Sequence, residues 1–145
     1  MSQPVTVRLP EPSWKELREI ARREHRSISE VGARFINEGL RQIRFPYIEF
    51  RPYQGERHAC VRGGPQVWQL IMAAKDYGMD AEKVAFHLDL KPEQVKAALH
   101  YYESYPEEID LALTENDLGY ERLKAMLPNL QLARTPIEPE SQAGD

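Results

Sequence analysis

The stretch Val5-Thr6-Val7-Arg8-Leu9-Pro10 decides the fold at the beginning of this 145-residue chain. Aliphatic residues alternate with Thr6 and Arg8, which is typical of a short strand with one apolar and one polar face. The strand ends at Pro10, and the helical patterns that follow offer its backbone groups no partner. The simplest partner is the same strand of a second copy, paired antiparallel about a two-fold axis. The sequence therefore predicts a homodimer that forms through this strand.

Two amphipathic helical patterns follow the predicted strand. The first begins at Pro12, which suits a first helical turn because its missing N–H would be unpaired there. The second opens at Ser27-Ile28-Ser29-Glu30, which has capping-box spacing with Ser27 as the N-cap, and it runs to about Arg44. Gly32 and Gly39 lie inside it, and each costs roughly 1 kcal/mol relative to Ala. Their presence favours a close helix–helix approach.

The order of strand, helix and Arg-Ser-Ile-Ser-Glu opening a second helix resembles the ribbon-helix-helix DNA-binding proteins over about residues 3–44. Members of that family are dimers, and many are bacterial antitoxins or repressors. The resemblance implies five DNA-binding positions: Thr6 and Arg8 at base edges in the major groove, and the backbone N–H groups of Ser27, Ile28 and Ser29 at a phosphate. Pro4 departs from the pattern, because a third polar strand residue often stands there. The alternative is an α+β dimerisation unit with no role on DNA.

The charge distribution also separates the two ends of the chain, whose net charge is −4. Residues 1–44 carry nine Lys/Arg and six Asp/Glu, whereas residues 106–145 carry three and nine. A dimer doubles the positive end, which favours binding to a polyanion through counterion release. The acidic end would be repelled by DNA and suits a basic protein partner.

The middle of the chain predicts a second module. Short strands are expected at residues 47–50 and 58–61, followed by a helix that ends at Gly78 and two further helices, one capped by Asp80 and one running from Pro92 to about Tyr105. The last pair is helix-turn-helix-like. Its net negative charge and lack of Arg over residues 78–105 favour a structural or dimer-bracing role over contact with DNA.

Three segments of this module, 77–82, 87–102 and 106–110, resemble the domain-of-unknown-function-433 family. That family is a small homeodomain-like helical domain often found in VapB-like antitoxins, and its genes commonly lie beside one for a PIN-like ribonuclease toxin. The resemblance covers about residues 47–112. It departs from the family upstream, where Gly63-Gly64-Pro65-Gln66-Val67 stands in place of the usual Gly-Thr-Arg before a Pro-Val segment.

The segment that follows is acidic with regularly spaced apolar residues, which predicts one or two amphipathic helices that lie in a groove of this protein or of another. By the resemblance to antitoxins, the groove belongs to a toxin. The expected toxin-binding residues are Ile109, Leu113, Leu118, Tyr120, Leu123, Met126 and Leu127. The alternative is that this segment packs on its own domain or on the second copy.

The sequence thus predicts a mainly α (α+β) protein. Its expected parts are a ribbon-helix-helix domain at 1–45, a helix-turn-helix-like domain at 46–112, a toxin-binding segment at 113–134 and a disordered tail at 135–145. The single Cys60 fits a reducing cytoplasm, and no apolar run has the length of a membrane helix. The four histidines lack metal-ligand spacing, and no catalytic motif is present, so we expect neither an enzyme nor a cofactor or metal ion.

Together these patterns predict a cytoplasmic bacterial antitoxin of a type II toxin–antitoxin system. It would neutralise a PIN-like ribonuclease toxin and repress its own operon by binding a palindromic operator as a dimer. The alternative is a stand-alone dimeric ribbon-helix-helix regulator whose second module binds another ligand or braces the dimer.

Overall fold

A computed structural model describes residues 2–127 of the chain, which are mainly helical with one small antiparallel sheet. The elements are α1 (Glu11–Glu24), α2 (Ile28–Arg44), β1 (Ile48–Tyr53), β2 (Glu56–Val61), α3 (Val67–Asp76), α4 (Ala81–Leu88), α5 (Pro92–Ser104) and α6 (Pro106–Met126). The chain divides into an N-terminal unit, Met1–Ile43, and a C-terminal unit, Arg44–Asp145. The predicted disordered tail at 135–145 lies outside the described residues.

The start of the N-terminal unit differs from the sequence prediction. Residues 2–10 are exposed and belong to no helix or strand, so the strand expected at residues 5–9 is not formed in the single chain. Both strands of the described chain, β1 and β2, pair with each other in the C-terminal unit. Residues 5–9 thus have no partner strand within the described residues, and their pairing with a second copy stays a prediction.

The two helices of the N-terminal unit are separated by a sharp turn. Helix α1 ends at His25, whose backbone is left-handed with φ 55°, and the Arg26 N–H donates to the Ala21 carbonyl at 3.0 Å. The Ser27 hydroxyl then accepts the Glu30 N–H at 3.0 Å, which confirms Ser27 as the cap of α2. The helix boundaries thus follow local signals that the sequence displays.

Little apolar surface is buried in the N-terminal unit. Its fully covered apolar side chains within residues 2–43 are Ala21 and Val31. A cluster of charged side chains is also partly buried: the Arg34 guanidinium lies 2.9 Å from the Glu24 carboxylate on α1, and 3.9 Å from that of Glu38, which is buried. The unit is therefore held in part by partly buried charges rather than by an apolar core.

The C-terminal unit begins with a β-hairpin. Strands β1 and β2 pair from Ile48 opposite Val61 to Tyr53 opposite Glu56, and Gly55 in the turn has φ 82°. The hairpin is longer than predicted, because β1 continues through Pro52. Both strands of a two-stranded sheet are edge strands, where proline is tolerated.

The helices of the C-terminal unit have the predicted order and nearly the predicted limits. Gly78 follows α3 with φ 64°, and the Asp80 carboxylate caps α4 by accepting the N–H groups of Glu82 and Lys83 at 3.0 and 3.2 Å. Asp89, with φ 53°, ends α4 and leads into α5. These caps confirm the helix ends that Gly78 and Asp80 predicted.

A single apolar core joins the hairpin to α3, α4, α5 and the first turns of α6. Tyr101 is its largest fully buried side chain, and the Tyr101 hydroxyl donates to the Glu108 carboxylate at 2.6 Å. The core comprises Phe45, Ile48, Ala59, Val61, Val67, Leu70, Ile71, Ala74, Val84, Ala85, Val95, Ala98, Tyr101 and Ile109.

Helix α6 is continuous, so the predicted domain boundary at residues 112–113 falls inside it. Its first half is fixed to the core: Ile109 is buried, the Tyr102 hydroxyl donates to the Asp110 carboxylate at 2.6 Å, and Leu113 packs on the core. The hydrogen bond to Asp110, together with burial, raises the pKa of the Tyr102 hydroxyl. Beyond residue 116 most side chains are exposed.

Candidate functional site

The predicted DNA-binding side chains all lie on the N-terminal unit. Thr6 and Arg8 are exposed, and so are the intervening Val5 (74%) and Val7 (57%). No described residue forms an ion pair with Arg8. Both polar side chains are therefore available to a ligand, but the single chain does not hold them in a common surface.

The start of α2 was predicted to bind a phosphate. The N–H groups in a first helical turn have no acceptor within the helix, which leaves those of Ile28 and Ser29 for a ligand. The Ser27 hydroxyl, however, donates to the Glu30 carboxylate at 3.2 Å. This carboxylate weakens the attraction of the helix N-terminus for an anion. Sequence reasoning assigned Glu30 a capping role and missed this electrostatic cost.

The most conspicuous feature of α2 is an uncovered apolar stripe formed by Ile36, Gly39, Leu40 and Ile43. The three large side chains are 48%, 56% and 77% exposed. Their spacing of three and four residues puts them on one face of the helix. A Cβ built on Gly39 would meet nothing within 4 Å. Within the N-terminal unit, the described residues thus leave these three side chains largely exposed.

Several basic side chains accompany this stripe in the N-terminal unit. The Arg22 guanidinium is 2.6 Å from the Glu19 carboxylate, and its hydrogen bond lowers the pKa of Glu19. Arg26 forms no ion pair with any described residue. Arg8 and Arg26, like Arg18 and Arg23, are thus cations of this unit that an external anion reaches without breaking an ion pair with a described residue.

The predicted toxin-binding residues fall into two groups. Ile109 is buried in the core of the C-terminal unit, and Leu113 is partly buried against that core, so both are largely unavailable while α6 stays in place. Leu118, Leu123, Met126 and Leu127 are exposed by between 43% and 75%, and Tyr120 is half-buried. The predicted toxin-binding residues that remain exposed therefore all lie in the part of the chain after residue 116, which we call the α6 extension.

The helix-turn-helix-like pair α4–α5 also carries an exposed aromatic group. Phe86 is 83% exposed, and the neighbouring His87 ring stacks on Tyr77 with a centroid distance of 4.4 Å. Sequence reasoning missed Phe86, because the apolar pattern of α4 assigns the inner face to Val84, Ala85 and Leu88. The exposure of Phe86 could have been predicted from the sequence, because Phe86 lies on the side of α4 opposite these three residues.

A cleft of about 520 Å³ separates the hairpin from α6. Its lining includes Trp68 from α3, Glu56 and His58 from β2, and Glu115 and Asn116 from α6. The Trp68 indole N–H donates to the Gln66 side-chain oxygen at 2.7 Å, which fixes the ring. No sequence pattern singled out this cleft, since its walls are more than fifty residues apart.

Cys60 is fully buried, and burial raises the pKa of its thiol. Its Sγ lies 3.4 Å from the His58 carbonyl oxygen. A buried thiol kept protonated is a poor nucleophile. Within residues 2–127, no group of three or more His, Cys, Asp or Glu side chains is placed to hold a metal ion.

Comparison with known proteins adds no relative: no family model, no curated protein and no solved structure matches the chain. None of the helices within residues 2–127 is both long and apolar enough to cross a membrane. The functional argument therefore depends on the surfaces of the two units.

Proposed function

We propose that the chain is a dimeric DNA-binding protein of the ribbon-helix-helix type that acts as the antitoxin of a type II toxin–antitoxin system. The observation that carries the proposal is the uncovered apolar surface of the N-terminal unit. Val5, Val7 and Leu9 precede α1, and the apolar stripe of α2 adds Ile36, Leu40 and Ile43, all of them at least 44% exposed. The alternation at residues 5–9 favours a second copy of this chain as the partner that covers this surface.

The small size of the N-terminal unit also supports a second copy as its partner. Units of about forty residues bury too little surface to be stable without a disulfide, a metal ion or association. This unit has no cysteine and two buried apolar side chains. Pairing of residues 5–9 with the same residues of a second copy would satisfy their backbone groups and place the aliphatic side chains on the helices.

In such a dimer the other face of the ribbon would carry Thr6 and Arg8 from each chain. An Arg side chain donates two hydrogen bonds to a guanine edge, and a Thr hydroxyl bonds either a donor or an acceptor in the major groove. Arg26, exposed near the start of α2, would add a phosphate contact. The two-fold symmetry of the ribbon calls for a palindromic operator.

The test replaces Thr6 and Arg8 together by Ala in the full-length chain. We expect the affinity for the operator upstream of the gene to fall by two or more orders of magnitude, since each good base contact contributes about 1–3 kcal/mol and the dimer carries each twice. Fluorescence anisotropy with labelled operator DNA measures this loss.

The control is the replacement of Lys15, an exposed cation of α1 paired with Glu11 at 3.2 Å, by Ala. Operator affinity should then fall much less, because this cation is already partly neutralised. Unchanged operator binding in the Thr6/Arg8 variant, or an equal loss of thermal stability and binding, would assign residues 5–9 a structural role only.

The α6 extension supports the antitoxin part of the proposal. Leu123 and Leu127 continue the face of α6 that carries Ile109, Leu113, Asn116 and Tyr120, yet they are 48% and 43% exposed. An apolar face that extends past its own core suits the groove of another protein. The extension carries Asp117 and Glu121 together with Arg122 and Lys124, so it is its apolar face rather than a net charge that supports a partner.

This part is tested by the double substitution Leu123→Glu and Leu127→Glu in the full-length chain. Co-purification with a ribonuclease encoded beside the gene should be lost, and operator binding should be retained. The matched control is Leu111→Glu, since Leu111 is 59% exposed on the opposite face of the same helix. Retained rescue of growth by the double variant would favour a stand-alone regulator without a toxin partner.

A further inference from the structure

We propose that the cleft between the hairpin and α6 is a binding site for an arginine side chain of a basic peptide segment on a partner protein. This inference concerns the C-terminal unit alone and does not depend on dimerisation or on DNA binding. The cleft is a different surface from the α6 extension, because its α6 wall consists of Ala112, Glu115 and Asn116.

The charge of the cleft selects a cation. Glu56 on the hairpin and Glu115 on α6 face the same space from opposite walls, and neither carboxylate forms an ion pair or hydrogen bond with any described residue. No Lys or Arg is among the described residues that line this cleft. Arg57 lines an overlapping depression that shares Glu56 and Glu115 with the cleft, and its guanidinium donates to the Phe50 carbonyl at 3.2 Å.

The aromatic lining favours arginine over lysine. Trp68 lines the cleft with its indole N–H already bonded to Gln66, and Tyr53 lies beside His58 with a ring-centroid distance of 6.0 Å. A guanidinium is planar and weakly hydrated, so it stacks on an indole face more readily than an ammonium does. Its five N–H donors also match acceptors on two walls, whereas an ammonium has three.

The dimensions indicate a peptide side chain with its flanking backbone. A volume of about 520 Å³ lies within the range of roughly 300–1,000 Å³ typical of ligand sites. The cleft is open to solvent along the hairpin, where Gln54 and Glu56 are exposed. An extended chain can therefore enter from the outside with one side chain inserted next to Trp68.

The experiment uses the full-length, ¹⁵N-labelled chain and the peptide acetyl-Gly-Arg-Gly-amide as the probe. The two indole N–H resonances of Trp14 and Trp68 are assigned with the variant Trp68→Phe. We expect the peptide to shift the Trp68 resonance in a saturable manner and to leave that of Trp14 unchanged. The same peptide with citrulline in place of arginine keeps the shape but lacks the charge, and it should not bind.

Two charge variants locate the site. The double substitution Glu56→Gln and Glu115→Gln should weaken peptide binding about tenfold or more, which corresponds to about 1.4 kcal/mol. The matched control is Glu93→Gln with Glu107→Gln, which removes two exposed carboxylates outside the cleft lining. Both variants should keep the parent spectrum elsewhere, because the substituted side chains are exposed.

Three outcomes overturn the proposal. One is the absence of a saturable Trp68 shift in the parent chain. Another is equal binding of the citrulline peptide, which would mean that the cleft does not select a cation. The third is equal weakening by the two double variants, which would mean that the overall negative charge, rather than the cleft, attracts the peptide. A separate probe, acetyl-Gly-Lys-Gly-amide, tests the choice of cation, and binding as tight as that of the arginine peptide would contradict the assignment to arginine.

Discussion

The N-terminal and C-terminal units bury their apolar side chains to very different extents. The C-terminal unit joins two strands and four helices around a core in which Ile48, Leu70 and Tyr101 are fully covered. The N-terminal unit also consists of regular helices, but its only buried apolar side chains among the described residues are Ala21 and Val31. Leu40 and Ile43 are largely exposed. Because helix propensity alone rarely stabilises a short helix in water, we expect the N-terminal unit to need a partner for its stability.

The comparison predicts opposite behaviour for the two units as separate fragments. Residues 44–127 should fold alone and show a cooperative thermal transition by circular dichroism that is independent of concentration. Residues 2–43 should be largely unfolded at micromolar concentration and gain helix as the concentration rises, since association couples to folding. A concentration-independent fold of residues 2–43 would show that the exposed stripe needs no partner and would contradict the dimer.

The same contrast can be measured with one type of substitution in each unit of the full-length chain. Leu70→Ala removes a fully buried side chain of the C-terminal core and should lower the free energy of unfolding by about 2–5 kcal/mol. Leu40→Ala removes a side chain that is 56% exposed in the single chain. For an uncovered position its effect should stay within about 0.5 kcal/mol.

If a second copy covers α2, Leu40→Ala costs more, and the loss depends on protein concentration. Denaturant unfolding at two protein concentrations distinguishes the cases. A small, concentration-independent effect of Leu40→Ala would indicate that the stripe remains in water. A large effect that does not vary with concentration would place its contact within the chain.

The sequence predicted the elements whose limits depend on neighbouring residues. Ser27, Asp80 and Pro92 marked helix starts because a cap or a first-turn proline acts within three or four positions along the chain. Strand β1 extends beyond the predicted residues 47–50 and includes Pro52, a residue that would disrupt a strand in the middle of a larger sheet. Pro52 is tolerated here because a two-stranded sheet has only edge strands, and the sequence does not display the number of strands.

The candidate surfaces were less predictable, because they depend on which side chains remain uncovered after folding. The pattern of α6 grouped Ile109 and Leu113 with Leu123 and Leu127, yet the first two enter the core and the last two extend past it. The cleft joins Glu56 to Glu115, which no local periodicity relates. Which residues of α6 are covered depends on how far the core extends along the helix, and only the three-dimensional structure gives that length.

The sign of the effect of a third substitution, Gly39→Ala, decides between the alternatives for the N-terminal unit. A glycine inside an exposed helix costs about 1 kcal/mol relative to alanine, so Gly39→Ala should stabilise α2 by that amount if the stripe faces only water. Gly39 lies between Ile36, Leu40 and Ile43, where a second chain would have to approach closely. A Cβ there meets no atom within 4 Å in the single chain, so any steric penalty has to come from outside it.

We therefore expect Gly39→Ala to destabilise the full-length chain in a concentration-dependent manner, as measured by thermal unfolding followed by circular dichroism. The matched control is Gly119→Ala in α6, where a Cβ also meets nothing within 4 Å. That substitution should stabilise its helix, since the position is exposed and lies outside the proposed dimer surface. Stabilisation by both substitutions would leave Gly39 without a partner helix and would contradict close packing of two α2 helices across the dimer axis.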